Sequence, residues 1–422
     1  MSRSIHAIAI HLSLLAFCQA TSAQDVEENF ARGRKSYDDK NYNEAIGHFR
    51  HHYYHHPCSL ALNRIGDCYY ALKNYHAAVA EYTRAIDQDN YFTPSGDESK
   101  DRAISHQWRA HSYNMLGKYR DAIPDYDVAI RRFPRDGELH YFRGLALLYC
   151  DDFSKSIDAF SKSLEFDYDK REWAFAHRGQ SYARLGQDSR AFEHFSEAIL
   201  LDPYESYSYL SRVILLLSCG NFHHAIDEAE RDLRREGSLD ESSQWMAILG
   251  HMAYARLGKL TQSRRILRDS AQRCSPSTWP SPIARFLLDE LSEETIRDVA
   301  TDPQKTTDLQ LVFALQAAIA NQKDKSLKHL DWIIKYGARN CLTRQLALSE
   351  QSRPVFNIAP AREITLSRTA GSPNSELRQS FSNLRYRPVR QRPYKDRQDD
   401  LELLASPEAI PAIPEFLVDD RP

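Results

Sequence analysis

The sequence predicts an all-α fold, a helix-turn-helix solenoid of repeated units, on three observations. Segments spaced at multiples of about 34 residues repeat one another in register. "AHSYNMLGKYRDAIPDYDVAIRRFP" (110–134) and "GQSYARLGQDSRAFEHFSEAILLDP" (179–203) both carry a small residue, Tyr, Leu-Gly, Ala, an aromatic, Ala and Pro at matching intervals. Apolar residues such as Ala122, Tyr126 and Ala129 fall at helical spacing within a unit, which puts them on one stripe of a helix. Only 15 glycines and 18 prolines occur in 422 residues, and most of the prolines lie past residue 275. The first two-thirds therefore reads as regular structure with short turns.

Residues 1–23 have the layout of a signal peptide: Arg3 is the positive end, Ile5 to Phe17 a short apolar run, and "TSA" offers small residues for cleavage after Ala23. Phe17 is bulky for the position before an acylated cysteine at Cys18, so export in soluble form, to a periplasm or beyond, is the expectation. No other segment is long and apolar enough to span a bilayer, and no N-x-S/T sequon occurs, which favours a bacterial envelope.

About seven units fill residues 26–276. "GRKSYDDKNYNEAIGHFRHHYYHHP" (33–57) and "GDCYYALKNYHAAVAEYTRAIDQDN" (66–90) open the array, and "GLALLYCDDFSKSIDAFSKSLEFDY" (144–168) replaces the alanines by serines. Weaker copies follow near 206–239 and 244–276. Gly117, Gly186, Gly220 and Gly258 sit where the first helix of a pair must end, a place for left-handed backbone. "YFTPSGDESKDR" (91–102) breaks the period and reads as an exposed loop. Residues 277–352 read as a proline-interrupted connector with a short amphipathic helix and then a closing helix pair in 311–340. Residues 353–422 lose helical periodicity, turning basic and then acidic and proline-rich, a composition that predicts a disordered tail.

This pattern resembles the tetratricopeptide repeat family over residues 26–276. The family's small residue of the first helix is carried by Gly33, Gly66, Ala110, Gly144 and Gly179. Its alanine of the second helix corresponds to Ala45, Ala78, Ala122, Ser156, Ala191 and Ala225, and its aromatic to Phe49, Tyr82, Tyr126, Phe160 and Phe195. Pro57, Pro134 and Pro203 match the proline that closes the unit. The resemblance implies a right-handed superhelix whose first helices line a concave groove. Its groove positions correspond here to Arg34, Tyr37, Asn63, Asp67, Tyr70, Gln107, His111, Asn114, Tyr141, Trp173 and Gln180. Amides and rings interleaved in this way suit an extended peptide, with amides holding its backbone and rings covering its side chains. The order of connector and closing pair is similar to bacterial envelope adaptors of the type of the enterobacterial new lipoprotein I, which implies a scaffold that assembles other proteins.

A formal net charge of −3 gives no whole-protein reason to expect nucleic acid as the partner. There is no GxSxG, HExxH, Walker loop or GxGxxG, and the expected function is a non-catalytic scaffold for protein or peptide partners, with no cofactor. The alternatives are a metal-dependent hydrolase using His51 to His56 and a repeat module that is not exported. In "FRHHYYHHPC" (49–58), Tyr53 is expected to join Ala45 and Phe49 on the buried stripe, with His52 and His56 on its flank. Neither histidine pair has a third ligand at a standard spacing, Cys58 being the nearest candidate, so no metal is expected. The cysteines lack any CxxC spacing and read as buried thiols. In the tail, Arg385, Arg387, Arg390, Arg392, Lys395 and Arg397 read as a solvated linker or as a weak contact for an anionic surface (385–397). Ile410, Ile413 and Phe416 fall at the three-residue period of polyproline II, a candidate linear motif.

Overall fold

In the helix pairs that contain Gly33, Gly66 and Gly179, an aromatic ring of the second helix lies over the small residue of the first. A Cβ added at Gly33, Gly66 or Gly179 would come within 2.7, 2.6 and 2.9 Å of the rings of Phe49, Tyr82 and Phe195, respectively. All three rings are fully buried. Close approach of the two helices thus depends on a missing side chain in the first helix and a large one sixteen residues later in the second, as the sequence predicts.

The computed structural model describes residue 25 and residues 27–92, 100–203, 206–234, 239–338 and 342–352. The signal segment, the tail 353–422, its basic stretch and the Ile410, Ile413 and Phe416 edge lie outside the described residues. The described residues form helices and turns, with no strand among them. They divide after Cys150 into two compact units. The first unit contains α1 (residues 27–38), α2 (Tyr42–His55), α3 (Ser59–Ala71), α4 (Tyr75–Phe92), α5 (Lys100–Met115), α6 (Tyr119–Arg132) and α7 (Gly137–Tyr149). The second contains α8 (Phe153–Glu165), α9 (Arg171–Arg184), α10 (Asp188–Leu201), α11 (Ser206–Ser218), α12 (Phe222–Leu233), α13 (Glu241–Arg256) and α14 (Leu260–Ala271). It continues through two short helices, α15 (Ser281–Leu287) and α16 (Glu293–Val299), into α17 (Pro303–Ile319), α18 (Lys323–Tyr336) and α19 (Leu342–Ser352).

The turns inside the pairs use left-handed backbone. Gly117, Gly186, Gly220 and Gly258 have φ of 67, 71, 75 and 71°, angles that glycine adopts without a Cβ clash. Lys40, Lys73, Asp151 and Asn321 hold the equivalent turns at 62, 59, 62 and 58°. The break at 91–102 is narrower than the sequence suggests. Nothing before Pro94 stops α4, which runs on through Phe92, while α5 takes in Lys100 to Arg102; residues 93–99 lie outside the described residues.

A row of arginines joins successive second helices. Arg109 donates through Nε and Nη2 to Asp125 (2.7 and 2.8 Å) and through Nη1 to Thr83 Oγ1 (3.1 Å). Arg212 repeats the arrangement on Glu228 (2.7 Å) and Ser196 (3.0 Å). Arg143 reaches Asp127 (2.7 Å) and Arg178 reaches Ser161 (3.1 Å). Each precedes by one residue the position of the small residue or its equivalent, and each planar fork can hold two acceptors at once.

Candidate functional site

The first helices of the N-terminal unit, α3, α5 and α7, carry a connected set of rings and amides. Tyr70 meets Trp108 edge-on at 5.4 Å between centroids, Trp108 meets His111 at 5.3 Å, and His111 meets Phe142 at 4.6 Å. Tyr141 packs on Phe142 at 5.3 Å. Tyr70, Trp108 and Phe142 are half-buried, so each presents part of its ring. Gln107 and Asn114 are half-buried beside them, and Arg34 on α1 is exposed.

Beneath the rings lies a hydrogen-bonded layer. The Tyr126 hydroxyl accepts from Asn114 Nδ2 (2.9 Å) and lies 3.0 Å from His111 Nδ1. A hydroxyl carries one proton and can accept twice, so the direction of this contact follows the imidazole tautomer. Burial alone pushes the His111 pKa down to about 3, so the imidazole is neutral near pH 7. Ser105 Oγ donates to Asn63 Oδ1 (2.8 Å), and the Tyr82 hydroxyl to Asp67 Oδ1 (2.8 Å). Burial raises the Asp67 carboxyl above its ordinary value, opposed by the Tyr82 hydroxyl and by Arg64. Burial, with the Asp67 charge adding to it, raises the Tyr37 hydroxyl to about 12. His111 and the Tyr37 hydroxyl are therefore uncharged near pH 7.

These positions separate the predicted groove residues into two groups. Arg34, Tyr37, Asp67, Tyr70, Gln107 and Asn114 keep accessible surface, as does Trp173 on α9. Asn63, His111, Tyr141 and Gln180 are only 5, 6, 1 and 8% exposed. They are corrected here to groups beneath the face: at Asn63 and His111 the side chain is spent on a bond to another helix, leaving no surface for a ligand. In the second unit, Gln180 Oε1 accepts from the Tyr207 hydroxyl (3.1 Å), and Trp173 packs on Tyr207 at 5.7 Å. Trp108 and Phe142 escaped the sequence reading because the family's groove positions fall beside them. The signal was present: both precede the small residue, Ala110 or Gly144, by two places, and His177 recurs at that place before Gly179.

The histidine stretch also departs from expectation. His52, at 4% exposure, takes the buried place assigned to Tyr53, because Phe30 of α1 packs on its ring at 4.8 Å. Tyr53 is half-buried, with the Arg84 guanidinium 5.4 Å over its ring. The expectation of no metal rested on a missing third ligand. The fold supplies one, since ligand atoms of His52, His56 and Cys58 lie within 4.8 Å of one another.

Residues 60–91 and residues 109–170 each match a tetratricopeptide repeat model. These residues carry tetratricopeptide repeats, and the described residues fold as successive paired helices with no strand among them. Proteins with such repeats bind protein partners, which supports a protein-interaction scaffold. In mouse, DnaJ homolog subfamily C member 7 is 30% identical over 100 residues, 22% of this chain, and the chain spans 18% of that relative's length. Among solved structures, a tetratricopeptide repeat protein from Parabacteroides merdae aligns with a TM-score of 0.45 at 17% identity, covering 63% of this chain and 98% of that one. MamA from Desulfovibrio magneticus RS-1 aligns with a TM-score of 0.38 at 18% identity, covering 43% and 97%. Residues 277–352 lie outside both family matches, and the expected likeness to envelope adaptors is not confirmed by these comparisons.

Proposed function

We propose that this scaffold catalyses nothing, works after export in the bacterial envelope, and binds a peptide segment of its partner across the first-helix face of α3, α5 and α7. The observation that carries the reading is the run of half-exposed rings, Tyr70, Trp108 and Phe142, on three successive first helices, flanked by the Gln107 and Asn114 amides. Rings give apolar cover with few torsions to freeze, while amides match a peptide backbone of either polarity. The buried layer beneath, Asn63, His111 and Tyr126, holds the rings in place before a ligand arrives, which lowers the ordering cost of binding. Export rests on the layout of residues 1–23.

The test is a photo-crosslinking amino acid placed at Gln107, with Ala80, exposed on α4, as the control. Adducts with a second protein at Gln107 and none at Ala80 are expected; adducts at Ala80 alone, or at neither site, refute the reading. Mature protein beginning at Gln24 is the expected outcome of export, and a retained Met1 refutes it.

A further inference from the structure

The junction of α2 and α3 brings together groups that lie on different elements. His52 and His56 are one helical turn apart, their ring centroids 5.6 Å from each other. Pro57 follows, and Cys58 then adopts extended backbone (φ −148°, ψ 147°) as the residue before α3, without its side chain capping that helix. The thiol faces back toward α2, with Sγ 3.8 Å from His52 Nε2. One ligand atom from each of the three residues falls within 4.8 Å of the others.

We propose that His52, His56 and Cys58 form a zinc site with its fourth position open to water. Two imidazoles and a thiolate are ligands that a tetrahedral, borderline-soft Zn2+ accepts. At Zn–N and Zn–S lengths of about 2.0 and 2.3 Å, ligand atoms stand roughly 3.3–3.6 Å apart. The His52–Cys58 separation already approaches that edge. His56 is exposed, and its ring has room to rotate into the third position. His52 is held by burial and by the Phe30 ring, so part of the site is rigid before the ion arrives. The same helix contains an internal contrast: His51 and His55 pair at 4.7 Å between centroids, yet both are exposed and no thiol joins them in the metal-ligand grouping. Ion binding releases the Cys58 thiol proton to solvent and ties the end of α2 to the start of α3, a clasp for the first repeats that is independent of the peptide face.

The test uses the full chain without a polyhistidine tag, kept reduced by a phosphine and stripped of metal. Zn2+ is then added back and bound metal measured after gel filtration; Co2+ is added in parallel as a spectroscopic substitute. The expected result is one zinc per chain, a higher melting temperature with zinc, and a thiolate-to-Co2+ charge-transfer band in the near ultraviolet. Cys58→Ser removes the band and the zinc-dependent stabilisation, and His56→Gln, at an exposed position, weakens zinc binding while preserving the metal-free melting temperature. His51→Gln/His55→Gln changes neither readout. Zinc below stoichiometry, a Co2+ spectrum lacking the thiolate band, or binding that survives both Cys58→Ser and His56→Gln overturns the proposal.

Discussion

First helices near the start of the repeat array differ in chemistry from those near its end. In α3 and α5 the buried side chains include Asn63, Ser105, His106, His111 and Ser112. In α11, α13 and α17 polar groups such as Ser211, Arg212, Gln244 and Asp308 are buried too, but unbroken apolar runs dominate: Val213 to Leu217, Trp245 to Leu249 and Leu311 to Leu315. Both sets belong to helix pairs of one plan. The difference is what covers them. In the second unit α19 packs on α11, α17 and α18, inserts Leu346 and Ala347 into the core, and pairs Glu350 with Arg256 at the end of α13 (2.9 Å). There the last described helix occupies the first-helix side, and a face covered in this way can be apolar. The N-terminal face keeps rings and amides half-exposed, a composition that suits a surface meeting both water and the proposed ligand.

Four substitutions and one exposed control sharpen this contrast, in order of expected size. Arg109→Ala leaves the buried Asp125 carboxylate with His106 alone (2.7 Å), and unpairing a buried charge costs about 3–5 kcal/mol. Burial works to raise Asp125, but the hydrogen bonds from Arg109 and His106 outweigh it and hold the carboxyl below its ordinary value. Denaturant unfolding of the variant measures the loss. Leu346→Ala removes a fully buried side chain of α19 and is expected to cost about 3 kcal/mol, with faster hydrogen exchange in α11 and α17 as the local signature. Gly66→Leu and Gly179→Leu should each cost about 1–3 kcal/mol or more by overpacking, because the tight ring contact is common to both units. The exposed change Lys162→Ala should leave the melting temperature nearly unaltered, and equal melting temperatures for it and Gly179→Leu would show the repeat register to be wrong.

A further effect is one of pH. Burial sets the His111 pKa at about 3 in the folded chain, against an ordinary value of about 6.5. Between these values the unfolded chain binds the extra proton, so the contribution is complete above pH 6.5 and is lost as pH falls toward 3, by at most about 1.4 kcal/mol per pH unit. His177, brought down to about 4 by burial, acts in the same direction. His111→Phe should reduce proton uptake on unfolding at pH 5 by about one, read from the slope of unfolding free energy against pH; an unchanged slope would mean that the ring is not buried as a neutral group.

The repeat itself was legible because it rests on local rules. A small residue and an aromatic sixteen places on, or a glycine at a left-handed turn, is visible in any one unit. What escaped depends on neighbours that a single helix does not reveal. Positions 52 and 53 are both one turn from Phe49, and the choice between them was made by Phe30 on another helix. Cys58 is the nearest candidate third ligand in sequence, but only the turn beyond the end of α2 brings its thiol beside His52 and His56. Trp108 and Phe142 were visible as a recurrence but were passed over for adjacent groove positions. The arginine row at 109, 143, 178 and 212 recurs as regularly as the glycines, yet the partners of Arg109 and Arg212 sit on two different second helices, and periodicity alone does not name them.

The central claim is that ligand binding belongs to α3, α5 and α7 while α19 serves stability in the second unit. The direct measurement is the yield of the Gln107 crosslink in Trp108→Ala and Leu346→Ala backgrounds, taken beside the melting temperature of each. Trp108 is half-buried, so its loss should cost little stability yet abolish the adduct. Leu346→Ala should lower the melting temperature and retain the adduct below it. Persistence of the adduct in Trp108→Ala, or its loss in folded Leu346→Ala, would contradict the account.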